Sequence, residues 1–196
     1  MTAELELELE EKLYTVEEFL ELDLPELDEE SDFDYELIGG RIVPRAKAGT
    51  SAEHGKLLFR LAGHLNQYLD DNPIGQGFTE ASCTLGKPKG TFYVKPDLCF
   101  VANGRTPAKF RGLIPVAPDL VIEVHSPSDN LELIQDKIEA YLEAGVRLVW
   151  SIFMPQKFVA VYEHDQPEAE LLGLKDQLEG GEVLAGFSMA LSKLFE

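Results

Sequence analysis

The chain has 196 residues, 44% of them apolar and 27% charged, which are the proportions and size of a soluble globular protein of one domain. No apolar run approaches the ~18 residues of a membrane span, the first residues are acidic where an export signal is basic, and Cys83 and Cys99 form neither a CxxC metal motif nor a disulfide framework. The net charge of −19 is unevenly placed: residues 1–36 hold 16 Asp and Glu against one Lys, whereas residues 38–118 hold 11 bases and five acids. These features point to a cytoplasmic protein with no membrane partner. The basic middle has the charge of a phosphate-binding surface, or simply of an ordinary solvated one.

Met1 to Lys12 alternates Glu and Leu and reads as an acidic lead, either a frayed helix or a disordered tail, with residues 13–196 as one domain. Thr15 with Glu18 forms a capping box that opens a short helix to about Glu21. Pro25 and the run Asp28 to Asp34 make a loop. Phe33–Ile38 and Arg41–Arg45 flank Gly39-Gly40, the pattern of a hairpin. Ser51 to Leu69 is a helix, since Leu57, Leu58, Leu61, Leu65 and Tyr68 recur on one face. Phe78–Leu85 and Phe92–Val101 read as strands around the turn Gly86 to Gly90, which lacks the spacing and the Lys-Ser/Thr pair of a P-loop. Residues 102–117, rich in Pro, Gly and bases, read as a mobile loop.

Leu120 to Val124 is a buried strand with Glu123 at its tip. Asp129, with Glu132 three residues on, is the expected cap of the next helix, whose apolar face is Leu131, Ile134, Ile138, Tyr141 and Leu142 and which stops at Gly145. Val146–Phe153 and Lys157–Tyr162 pair as strands, followed by a strand near Glu170–Leu174 and a short helix from Ser188. This order predicts an α/β fold, a mixed sheet flanked by helices with an N-terminal helix and hairpin. The strands on either side of the Asp129 helix should be parallel and joined by a right-handed crossover.

Asp97, between Val94 and Phe100, and Glu123, inside an apolar run, place carboxylates where they are costly to bury. Two such acids at strand ends offer oxygen ligands suited to Mg²⁺ or Mn²⁺ rather than zinc; the alternatives are salt-bridged structural acids or acids at an edge facing water. Lys137 lies at the border of its helix's apolar stripe. It either snorkels to solvent or aims its ammonium at the two acids.

Pro96-Asp97, Glu123-Val124-His125-Ser126-Pro127-Ser128, Lys137 and Tyr141-Leu142-Glu143-Ala144-Gly145-Val146 together resemble the "putative restriction endonuclease" family of the PD-(D/E)XK phosphodiesterases, over about residues 15–190. The resemblance implies the restriction-endonuclease-like fold and a metal-dependent nuclease, with DNA as the first expected substrate and a homodimer as the simplest way to cut both strands. It implies Asp97 and Glu123 as Mg²⁺ (or Mn²⁺) ligands, joined by Glu36 and the Val124 carbonyl. It implies Lys137 in the role of the motif lysine, and His54 as a histidine that contacts phosphate or metal-bound water. On position alone, His54 reads equally as a core or helix-end histidine.

One departure stands out. The motif lysine belongs two residues after the acid, and this chain has His125 there. His125 is open to three readings: a ligand, an acid–base group or an inert strand residue. The bases Arg41, Arg45, Lys47, Lys56, Arg60 and those from Lys87 to Arg111 are candidates for phosphate contacts that give affinity without sequence specificity. The alternative function is a nuclease fold whose site has decayed and whose surface binds nucleic acid or protein. A hydrolase with a histidine-activated nucleophile lacks its motifs, GxSxG or a Cys–His pairing. An interaction protein whose acidic lead competes with DNA for the basic middle is the last rival.

Overall fold

A computed structural model describes residues 12–22, 33–46, 51–85, 91–106, 112–127, 129–166 and 168–196. The acidic lead through Glu11, the loop before Phe33, Lys47, the Gly86–Gly90 turn, positions 107–111 and Ser128 lie outside the described residues, as does the side chain of Arg45.

The first helix, α1 (Val16–Leu20), begins at the expected capping box: Thr15 Oγ1 accepts from the Glu18 amide at 3.1 Å and Glu18 Oε2 from the Thr15 amide at 2.9 Å. Strands β1 (Phe33–Ile38) and β2 (Arg41–Ala46) form the hairpin. Gly39 and Gly40 both have positive φ, 59° and 80°, as its two-residue turn requires. Tyr35 and Leu37 on one face of β1 pack against Val16 and Phe19 of α1; Glu36 and Ile38 point to the other face.

Helix α2 (Ala52–Asp71) is capped by Ser51, whose side chain accepts from the His54 amide, and buries Leu57 and Leu61. The two long strands expected after it each divide in two. The first becomes β3 (Gly75–Thr79) and β4 (Cys83–Leu85), the second β5 (Phe92–Val94) and β6 (Leu98–Ala102). Pro96 is the physical reason for the second break, because it has no N–H to donate to a ladder. Glu80, at φ 50°, bends the partner strand, and its amide donates to the Asp97 carbonyl at 3.1 Å. The chain thereby crosses between sheets: β4 and β5 complete a four-stranded sheet of order β2-β1-β5-β4, while β3 and β6 join the larger one.

Strand β7 (Leu120–His125) is buried along its length. Helix α3 (Leu131–Glu143) follows, then β8 (Leu148–Phe153), β9 (Phe158–Glu163) and β10 (Glu170–Leu172). The six-stranded sheet has the order β10-β9-β8-β7-β6-β3, with β7 and β8 parallel, as expected of two strands joined by a helix, and its other pairs antiparallel. The cap of α3 is Asn130 rather than Asp129: Asn130 Oδ1 accepts from the Glu132 amide, and the Asp129 carboxylate is taken by the Ser126 amide. Leu131, expected on the apolar face, is 71% exposed because it lies in the first turn, beyond the sheet's cover. The last segment forms β11 (Gln177–Glu179) and β12 (Ser188–Ala190) before α4 (Leu191–Leu194), so Ser188 opens a strand and not a helix.

Side-chain alternation sorts the core into two faces. Leu98, Phe100, Leu120, Ile122, Leu148 and Trp150 meet α2 and the C-terminal segment. Cys99, Val101, Val121 and Val149 meet Ile134, Ile138 and Tyr141 of α3, together with Cys83, Leu85 and Val94 of the smaller sheet. The architecture is thus a mixed sheet flanked by helices. The loop expected to be mobile is anchored where it is described: Ile114 is buried and bridges to Cys83. Both cysteines are free and buried, and burial pushes the Cys99 thiol up to about 12. No described helix is long and apolar enough to cross a membrane.

Candidate active site

Three buried acids mark the region where the two sheets and α3 meet: Glu36 of β1, Asp97 before β6 and Glu123 of β7, at 3%, 2% and 6% exposure. Asp97 does not lie inside a strand; it sits in the Lys95-Pro96-Asp97 break where the chain changes sheets. Glu123 is not the tip of its strand either, because β7 pairs with β8 as far as His125. The period-2 alternation turns Glu123 toward α3.

Lys137 of α3 enters between the sheets. Its Nζ lies 2.8 Å from Glu123 Oε1 and 3.0 Å from Glu36 Oε2, and the side chain is largely covered. The ammonium therefore faces the acids rather than snorkelling to solvent. Glu36 Oε1 also accepts from the Lys95 amide at 2.8 Å, which ties β1 to the same break that carries Asp97. Asp97 Oδ2 accepts from the Val124 amide at 2.8 Å and lies 3.4 Å from His54 Nε2. The first turn of α2 thus delivers His54, buried, onto Asp97. The structure places these residues in two neighbouring groups, Glu36, Glu123 and Lys137 in one and His54, Asp97 and the Val124 amide in the other.

His125 is held apart from this cluster's chemistry. Its Nε2 lies 2.6 Å from Ser151 Oγ, and its Nδ1 is 3.9 Å from Asp129 Oδ2, beyond hydrogen-bond reach. Burial pushes its pKa down to about 4, against the upward pull of Asp129, so the ring is neutral near pH 7 and cannot supply the positive charge of the motif lysine. A Ser–His–Asp order exists here, but Ser151 is fully buried and presents no nucleophile to a substrate.

A family model described as "Putative restriction endonuclease" matches residues 16–192. The chain belongs to that family. A crystal structure from Anabaena variabilis ATCC 29413, described as a putative nuclease, has a TM-score of 0.76 at 24% identity and covers 92% of this chain and 97% of its own. That likeness is one of fold, the restriction-endonuclease-like one. No curated protein matches the chain.

For this member of the restriction-endonuclease family, the donor set fits a hard divalent cation in chemistry. Two buried carboxylates, Glu36 and Glu123, face one ammonium, and a third, Asp97, lies against His54 Nε2 and the Val124 amide. Among the described residues, no group of three or more His, Cys, Asp or Glu side chains stands together in a way that could hold a metal ion.

Two buried polar contacts are not signalled by the sequence pattern. Tyr141, fully buried on α3, donates its hydroxyl to Glu123 Oε1 at 2.5 Å; an aromatic at helical spacing reads as core, and only its distant partner distinguishes it. Asp119, buried at the opposite end of β7, accepts from the Ala102 amide, Arg105 and Arg147 and holds that end of the sheet together. Several expected phosphate contacts are engaged within the chain. Lys56 and Arg60 donate to the C-terminal carbonyls of Glu196 and Lys193, and Lys95 meets Asp34.

Proposed function

We propose that this protein is a divalent-cation-dependent nuclease that hydrolyses phosphodiester bonds, in DNA before RNA. The observation that carries the reading is Lys137 shared by two buried acids, Glu36 and Glu123, beside the chain break that carries a third buried acid, Asp97. Folding a chain around an excess of buried carboxylates is unfavourable unless something offsets their charge. Asp97, Glu123 and the Val124 carbonyl would hold a Mg²⁺ or Mn²⁺ ion, which would supply Lewis acidity to a phosphate oxygen and acidity to a bound water. Lys137 offsets negative charge on the phosphate and orients the attacking water. Glu36 fixes Lys137 from the smaller sheet, and serves as a further ligand where the lysine shifts toward substrate. His54 orients Asp97 through the 3.4 Å contact of its Nε2. A homodimer places two such sites on the two strands of a duplex.

A second reading is favoured by a specific observation: Lys137 already bridges two carboxylates, and a neutral His125 stands at the motif position. A decayed site in a binding module has this self-satisfied form. The Asp97→Ala, Glu123→Ala double variant separates the two. We expect wild-type protein to bind Mn²⁺ by calorimetry and to nick plasmid DNA, with both lost in the folded variant. Absence of cation binding in the wild type overturns the nuclease reading in favour of the binding module.

A further inference from the structure

We propose that Tyr141 is a positioning residue of the cation site, holding the Glu123 carboxylate in the orientation that binds metal. The inference rests on the nuclease reading above and extends it to a residue of α3. Lys137 and Tyr141 are four residues apart, so both project from the same face of the helix one turn from each other. Both reach the same atom: Glu123 Oε1 receives the ammonium at 2.8 Å and the phenol hydroxyl at 2.5 Å. Two donors on one oxygen fix the plane of the carboxylate, and with it the direction in which the second oxygen faces. The lysine alone would leave that plane adjustable, since an ammonium is a point charge that can be approached from many directions.

The placement of the hydroxyl supports the assignment. Tyr141 is fully buried among Ile134, Ile138, Val121 and Val149, a setting in which phenylalanine fills the same space without a polar atom to satisfy. The hydroxyl is therefore present for its partner rather than for packing. The ammonium also lies 6.0 Å from the Tyr141 ring centroid, so the ring walls one side of the space in which Lys137 moves. Groups that orient a ligand from behind typically change metal affinity about 10–100-fold when removed.

The experiment is a Mn²⁺ titration followed by the electron paramagnetic resonance signal of the free ion, on full-length wild type, Tyr141→Phe and Tyr162→Phe, with thermal melts of each. Tyr162 packs against the same core cluster from β9 and controls for loss of a tyrosine hydroxyl as such. The expected result is Mn²⁺ affinity weakened about 10-fold or more in Tyr141→Phe and unchanged in Tyr162→Phe, with Tyr141→Phe still melting cooperatively. Wild-type affinity in Tyr141→Phe overturns the positioning role and leaves the nuclease reading standing, because the hydroxyl then only satisfies a buried acid. Failure of the wild type to bind Mn²⁺ overturns both. Should Tyr141→Phe lose cooperative folding, Tyr141→Trp repeats the test with an indole N–H as donor in place of the hydroxyl, and unweakened affinity there with Glu123 uncontacted in its structure also overturns the role.

Discussion

Lys137 joins two sheets through one ammonium, and the energetics of that contact follow from its surroundings. With Glu36 and Glu123 both buried and the lysine largely covered, its charge is the nearest compensation for two carboxylates. Removing one partner of a buried ion pair costs about 3–5 kcal/mol, because the charge left behind is uncompensated. Lys137→Met keeps the length of the side chain and removes the charge, and should lower stability by about 3 kcal/mol in urea denaturation. A cation that binds near Glu123 compensates the same carboxylates, so saturating Mg²⁺ should restore more stability to the variant than it adds to the wild type. A variant as stable as wild type without Mg²⁺ would show that the two glutamates are not held by this lysine.

At the scale of elements, what the chain's pattern reveals depends on how local the cause is. The Thr15 capping box, the Gly39-Gly40 hairpin, the leucine face of α2 and the parallel β7–α3–β8 unit rest on short-range rules and were legible. The division of the two middle strands was not, because alternation continues across Pro96 while the hydrogen-bonding partner changes from β1 to β7. Pro96 was the available signal. Asp97, Glu123 and Lys137 were legible from their places in apolar patterns and Glu36 only through the resemblance, but the meeting of Lys137 with Glu36 spans 101 residues, which no periodicity encodes. The cap of α3 was misplaced by one residue, since Asp and Asn cap equally well and Asp129 is diverted to the Ser126 amide. The helix that carries Lys137 and Tyr141 therefore starts from Asn130. Asn130→Ala should cost about 1 kcal/mol, and a melting temperature lower by about 2–4 °C is the corresponding shift for a chain of this size. Differential scanning calorimetry checks this, and an unchanged midpoint would mean that the cap bond adds nothing to α3.

At the scale of the whole molecule, the proposed function requires a protein with 36 acids and 17 bases to approach a polyanion against its own field. The charge is not evenly spread, and the acidic lead can be deleted without changing any of the site residues. Residues 1–11 contain five glutamates and no base. Deleting them reduces repulsion that acts over the Debye length, about 10 Å at 0.1 M salt and about 30 Å at 0.01 M. The truncated protein should therefore bind a DNA duplex a few-fold more tightly than the full chain at low salt, with the difference closing as salt rises. Fluorescence anisotropy across a salt series measures this directly. A difference that persists at high salt would point instead to a direct contact between the lead and the nucleic-acid surface, because screened repulsion cannot survive there. No difference at any salt would place the determinants of affinity entirely within residues 12–196.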